Sequence, residues 1–346
     1  MVDFEKKRAG DRISNDKPEF LGAMLTGIAS RSSTTAKVHR LFRDGKASER
    51  ELRSEIALDT QKIVAAQKGF AFVSGGQLDW LDLFRPITEC FTGFRNSSRK
   101  SGAFNYSYGA NESVGPVTRW FRTNTFYRKP HVDFRIDCAG YELAEIMPDV
   151  GRAVLFLPGP YSFARLVDNS FYNSDEALAI DYSKAIAKSS EALRKKGYSC
   201  ILLVEHSVGF DMSTGTFKSP DWFGSAISAV KDSGTTLGIS FPKAEAGRVV
   251  GLADGTEADF VGIDALYTED LRFRTEKDLL LGVVDSSNIR VENVADLKAD
   301  IEALVKSASA ARYYIGTNDR LYDVPFDIAL RKIGALSEVG GVLDER

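Results

Sequence analysis

Short apolar runs alternate with amphipathic stretches along this chain. "AMLTGIA" (23–29), "FAFVSG" (70–75), "AVLFLPG" (153–159), "CILLVEH" (200–206), "TTLGISF" (235–241), "FVGIDAL" (260–266), "LLLGVVD" (279–285) and "ARYYIGT" (311–317) read as buried strands. Near-continuous apolar character is what a parallel sheet covered on both faces requires. A ninth candidate, "TRWFRTNTF" (118–126), mixes Arg, Trp and Asn into its pattern. Nine exceed the eight strands of a closed barrel, and 118–126 is the one expected to lie outside it.

The stretches between these runs have readable helix ends. Ser48 with Glu51 forms a capping-box pattern before "LRSEIALDTQKIVAAQK", and Gly69 follows as a stop. Asn173 with Glu176 opens the next long helix and Gly197 closes it. Ser219-Pro220, Asn293 and Asp323 open three more. From residue 150 onward strand and helix alternate at roughly 25–45 residues per unit, as stacked βα units do. The chain of 346 residues fits one such domain. The expectation is an α/β fold: a single (βα)8 TIM-type barrel over 21–346, a polar extension over 1–20, and a long polar excursion around 91–150.

Composition narrows the partners. The formal net charge is −3 with both signs mixed, which argues against a nucleic-acid surface. No apolar run is long enough to span a bilayer, and the N-terminus lacks an apolar signal core. Three scattered cysteines, Cys90, Cys138 and Cys200, argue against a disulfide framework and for a reducing, cytoplasmic setting.

In such barrels the chemistry sits on loops after the C-terminal strand ends. Those positions here carry Gln77, Asp79 and Asp82; Tyr161, Ser162 and Arg165; Glu205 and His206; Lys243; Asp264; Asp285, Asn288 and Arg290; and Asn318, Asp319 and Arg320. Glu205, Asp264 and Asp285 end three apolar runs and are the candidate catalytic carboxylates. Glu205 either grips an ammonium group or acts as a base, or else it is a satisfied ion pair. Strand alternation turns His206 the other way, toward packing. Asp79 and Asp82 bind a cation or cap a helix. Ser162, Asn288, Arg290 and Asn318 position a ligand or tie loops together. Gln77 stands in the same mouth. The stretch 117–130 gathers Arg119, Trp120, Arg122, Asn124 and Tyr127. Its guanidinium forks and ring faces suit a flat anionic ligand, or a structural clamp.

Several of these segments resemble the cobalamin-independent methionine synthase family. "TRWFRTNTFY" resembles an aromatic-Asn-aromatic motif of its N-terminal barrel, "LPGPYSFARL" its Gly-Pro loop, "LGVVDSSNIRVE" its penultimate strand and loop, and "TNDRLYDVPFDIALRKI" its final loop and helix. "SGGQLDWLDLFRP" resembles a Gly-Glu segment of the catalytic barrel, with Gln77 where that family has a Glu for the homocysteine amine. The resemblance covers roughly 21–340. It implies methyl transfer to the thiol of homocysteine from a methyl-tetrahydropterin or methyl-corrinoid donor.

The same family holds a zinc ion on one His, two Cys and one Glu. This chain departs there: "GISFPKAEAG" replaces the His-x-Cys, and no Cys lies near "TNDRL". Cys200 and His206 would stand about 20 Å apart on a strand at ~3.3 Å per residue, too far for one tetrahedral site. The expectation is therefore no metal site and no cofactor bound to this chain, with a separate zinc-bearing barrel protein as the leading partner. The alternatives are a metal-independent barrel enzyme of other chemistry working through Glu205, Asp264 and Asp285, and a non-catalytic ligand-binding or scaffold homologue.

Overall fold

The computed structural model describes residues 18–80, 83–94, 130–138, 143–145, 147–148, 150–231, 234–268 and 271–345. Its strands are β1 (Glu19–Met24), β2 (His131–Val132), β3 (Ala153–Pro158), β4 (Asp168–Asn169), β5 (Tyr198–Val204), β6 (Thr236–Phe241), β7 (Phe260–Asp264), β8 (Asp278–Val284) and β9 (Arg312–Thr317). Seven of them form one parallel sheet in the order β1-β9-β8-β7-β6-β5-β3. Strands β2 and β4 pair separately.

Both edges of the large sheet meet residues 70–73. Phe70 bridges Ala23 of β1, and Val73 bridges Ala153 of β3. Ala71 N donates to Ala23 O at 2.9 Å, and Val154 N donates to Val73 O at 3.0 Å. This segment is the eighth stave of a closed barrel, an α/β (βα)8 architecture of TIM type. Its ladder is thin because side chains take over its backbone groups: Gln67 grips both Ser74 N and Ser74 O, at 3.0 and 2.6 Å.

Around the ring lie α1 (Ser33–Arg43), α2 (Glu49–Ala66), α3 (Arg85–Cys90), α4 (Pro160–Leu166), α5 (Asp175–Lys195), α6 (His206–Ser213), α7 (Phe223–Ser228), α8 (Ala246–Asp254), α9 (Val294–Ser307) and α10 (Phe326–Asp344). The capping box of Ser48 and Glu51 is present at α2, and Asn293 caps α9. Ser174, one residue after Asn173, caps α5. Helix α7 starts three residues beyond Pro220, and Pro325 rather than Asp323 precedes α10.

Strand β1 runs over Glu19–Met24, not 23–29. Gly22, at φ +122°, puts a bulge into it, and a Cβ there would meet Ala71 Cβ at 2.9 Å. Leu25, Ile28 and Ala29 are buried in the loop beyond it, so their apolar character is that of a packed loop. The strand also begins two residues before the expected boundary at 21. The stretch 118–126 and the extension up to residue 17 lie outside the described residues.

Candidate functional site

Glu205, Asp264 and Asp285 all stand at the C-terminal mouth, because they follow or end β5, β7 and β8. Glu205 is fully buried. It accepts hydrogen bonds from Tyr161 N at 3.0 Å, Ser162 N at 2.7 Å and Ser162 Oγ at 2.6 Å. It thereby caps α4, whose own N-cap residue, Gly159, has no side chain to do so. Burial pushes its carboxyl up to about 7, against the pull of those three donors. Ser162 Oγ in turn accepts from Ser207 N at 3.0 Å. A Cβ at position 159 would lie 2.2 Å from Glu205 Cδ. Gly159→Ala is expected to lower stability by about 1–3 kcal/mol, the usual cost of overpacking, read as an earlier thermal melt. A variant that melts like the parent would refute this packing.

Asp264 is buried and accepts from Lys243 N, Leu266 N and Tyr267 N at 3.1–3.2 Å. Burial raises its carboxyl above the ordinary range. Asn318 Nδ2 donates to it at 3.3 Å, while Asn318 Oδ1 accepts from Ser286 N at 2.9 Å. Asn318 thus ties together the loops after β7, β8 and β9. Asp285 folds its own turn, accepting from Ser287 N at 2.8 Å and from Asn288 Nδ2. Asn288 Oδ1 accepts from Arg290 N at 2.9 Å, and the Arg290 side chain is exposed.

Gln77 is fully buried at φ +46°. Its amide pairs with both backbone groups of Phe156, donating at 3.2 Å and accepting at 2.6 Å. It continues the eighth stave against β3 by side chain. Glu145, hidden from sequence reasoning inside the polar excursion, accepts from Gly75 N at 3.1 Å and Gln77 N at 2.5 Å. Burial first, then the nearby Asp79 charge, pushes Glu145 up to about 8. Asp82, Arg119, Trp120, Arg122, Asn124 and Tyr127 lie outside the described residues.

His206 departs from the alternation expected of a strand. It is the first residue of α6, so its ring escapes the β5 pleat. His206 Nε2 meets Asp319 Oδ1 at 2.9 Å. Burial pushes the Asp319 carboxyl up, but the His206 and Arg320 charges and their hydrogen bonds outweigh it and hold it below its ordinary value. Nearby, Asp211 takes the Arg165 fork at 3.0 and 3.2 Å and the Tyr161 hydroxyl at 2.6 Å. Burial, then that bond to Asp211, drives the Tyr161 hydroxyl well up.

The residues present do not fit the zinc that the resemblance implies. Cys200 is buried within β5, where burial drives its thiol well up, and His206 is engaged by Asp319. Phe241-Pro242-Lys243 follows β6, and Asn318-Asp319 follows β9. Among the described residues no three His, Cys, Asp or Glu side chains gather as a metal group. No described helix is long and apolar enough to cross a membrane.

The fold and mouth define a (βα)8 barrel whose polar groups converge at the C-terminal strand ends. In sequence the chain is similar to a methionine synthase, and in fold to B12-independent methionine synthases. It is 25% identical over 234 residues, 63% of its length, to a methionine synthase of Thermococcus kodakarensis, of which it covers 67%. It is similar to a B12-independent methionine synthase from Shewanella sp. W3-18-1, solved with selenomethionine, at a TM-score of 0.65 and 15% identity over 95% of this chain and 98% of that one. A Listeria monocytogenes protein assigned as a vitamin-B12-independent methionine synthase superposes at a TM-score of 0.67 and 15% identity, over 95% of this chain and 99% of that one. No family model matches the chain.

Proposed function

We propose that the chain is a methyltransferase of methionine-synthase type, moving a methyl group from a methyl-tetrahydropterin or methyl-corrinoid donor to the thiol of homocysteine. The observation that carries this reading is the alignment with a methionine synthase over 234 residues, on a barrel whose mouth is lined by buried polar groups. Because the zinc ligands do not fit, the thiol is activated in one of two ways. A separate zinc-bearing barrel supplies the metal, or this chain supplies its own base. Glu205, Asp264 and Asp285 have their oxygens engaged by loop amides and hydroxyls, so their role here is to shape the mouth. Arg290 remains as an exposed cation toward an anionic donor. Methyl transfer to homocysteine is measured for the chain alone and mixed with a zinc-bearing methionine synthase barrel, using each donor. Methionine formed in either arm supports the reading; none in both arms, with either donor, overturns it.

A further inference from the structure

The ring order sets a geometric constraint on the pair His206–Asp319. Around the closed barrel, β5 and β9 are separated by β6, β7 and β8 on one side, and by β3, residues 70–73 and β1 on the other. They are diametrically opposed. His206 stands two residues beyond the end of β5, and Asp319 two residues beyond the end of β9. Neither has the loop length to travel around the rim. A 2.9 Å contact between them therefore crosses the mouth over the barrel axis, where a ligand filling the mouth must meet it.

The chemistry of the pair is specific. Asp319 Oδ1 holds Nε2 and also accepts from Arg320 N at 2.7 Å, which fixes the carboxylate. The imidazole is about one-third exposed (32%), and among the described residues Nδ1 has no hydrogen-bond partner. A base oriented by a carboxylate, with its other nitrogen open, is the arrangement that activates hydroxyl and thiol nucleophiles. Beside it, Ser207 Oγ is buried and, among the described residues, without a hydrogen-bond partner. The charged groups on the elements that meet at His206 are Asp319 and Arg320 after β9, Glu205 preceding it in the chain, Lys243 after β6, whose backbone packs against Gly209 of α6, and the Arg165–Asp211 pair joining α4 to α6.

We propose that His206, positioned by Asp319, is the base that deprotonates the acceptor thiol in this barrel, in place of a zinc ion. This rests on the reading of homocysteine as acceptor, and it makes a zinc-bearing partner unnecessary for thiol activation. His206 Nδ1 takes the S–H proton. The thiolate sulfur attacks the donor's methyl carbon, so the S–C bond forms as the bond from methyl to donor breaks. The bonding pair leaves with the donor, and the imidazolium proton neutralises the charge that develops there. A free thiol has a pKa of ~8.5 and is mostly protonated at neutral pH, whereas a thiolate beside an imidazolium is stabilised.

The test follows the ultraviolet absorbance of thiolate when the full chain binds L-homocysteine at neutral pH, with binding itself measured by calorimetry. L-Methionine, which has no thiol, serves as the control ligand. Bound homocysteine is expected to carry at least tenfold more thiolate than free homocysteine. His206→Gln should bind methionine as the parent does yet lose that excess, and Asp319→Asn should lose most of it. Methyl-transfer kcat/KM should fall on the order of 100-fold or more in His206→Gln, the usual contribution of a general base. A His206→Gln variant that keeps the thiolate excess, or a parent that binds homocysteine without any, overturns the dyad while leaving the acceptor intact. Failure of the parent to bind homocysteine overturns both. If His206→Gln melts early, the thiolate excess of Asp319→Asn decides in its place: lost, it supports the dyad; kept in full, it overturns it.

Discussion

The melting temperature of this protein is expected to fall as pH rises from about 5 to about 8, against the usual trend for carboxylates. In the folded chain Glu205 titrates at about 7 and Glu145 at about 8, where both ordinarily titrate at 4.5. Burial is the leading cause for each, and the Asp79 charge adds to it at Glu145. Between 4.5 and those raised values the folded chain holds protons that the unfolded chain has released. Stability is therefore full below the unfolded value and is lost as pH climbs through the folded one. Asp264, raised by burial, acts in the same sense. The lowered carboxyls, Glu51, Asp137, Glu191, Asp211 and Asp319, act below their ordinary values of 4.5 or 3.8 and so beneath this window. At about 1.4 kcal/mol per decade of displacement, Glu205 contributes about 3 kcal/mol and Glu145 about 5. That corresponds to a fall on the order of 10 °C. Glu145→Gln and Glu205→Gln should each flatten the profile by its share, whatever they do to overall stability. Calorimetric melts of the three proteins across the range decide this; an unchanged slope in both variants would falsify the assignment.

These two carboxylates mark where the sequence is legible and where it is not. Buried parallel strands announce themselves by continuous apolar runs, and β3, β5, β6, β7, β8 and β9 lie where such runs stand. The seat of Glu205 after β5 is legible for the same reason. Its partners are not, because the contacts joining Glu205 to Ser162 span 43 positions and follow from ring closure. Residues 70–77 carry the apolar signal of a strand, yet Gln67, Gln77 and Glu145 supply much of their hydrogen bonding. Glu145 sits in a polar stretch that gives no periodic signal. Nor is the His206–Asp319 pair visible locally. Reading His206 as one more strand residue turns it away from the mouth, whereas the helix that starts at that residue turns it back.

Lys332→Met is expected to destabilise the fold by about 3–5 kcal/mol, the cost of leaving one member of a buried ion pair uncompensated. Lys332 lies on α10 and is fully buried, a position its polar head allows only with partners. Its ammonium donates to Glu292 at 2.9 and 3.2 Å and to the carbonyl of Arg290. Glu292 accepts from Asp285 N at 2.9 Å as well. One buried cation thus anchors the whole loop after β8, from Asp285 through Asn288 and Arg290, against the last helix. Losing it should loosen that loop and weaken binding of an anionic donor in addition to lowering the melt. Lys332→Met combined with Glu292→Gln removes both charges while keeping an acceptor for Asp285 N. The pair should therefore cost less than Lys332→Met alone, with a coupling on the order of 2 kcal/mol. Denaturant unfolding of the two single variants and the double variant measures that coupling. A double variant as unstable as the sum of the singles would show that the lysine acts by packing its stem rather than by neutralising Glu292.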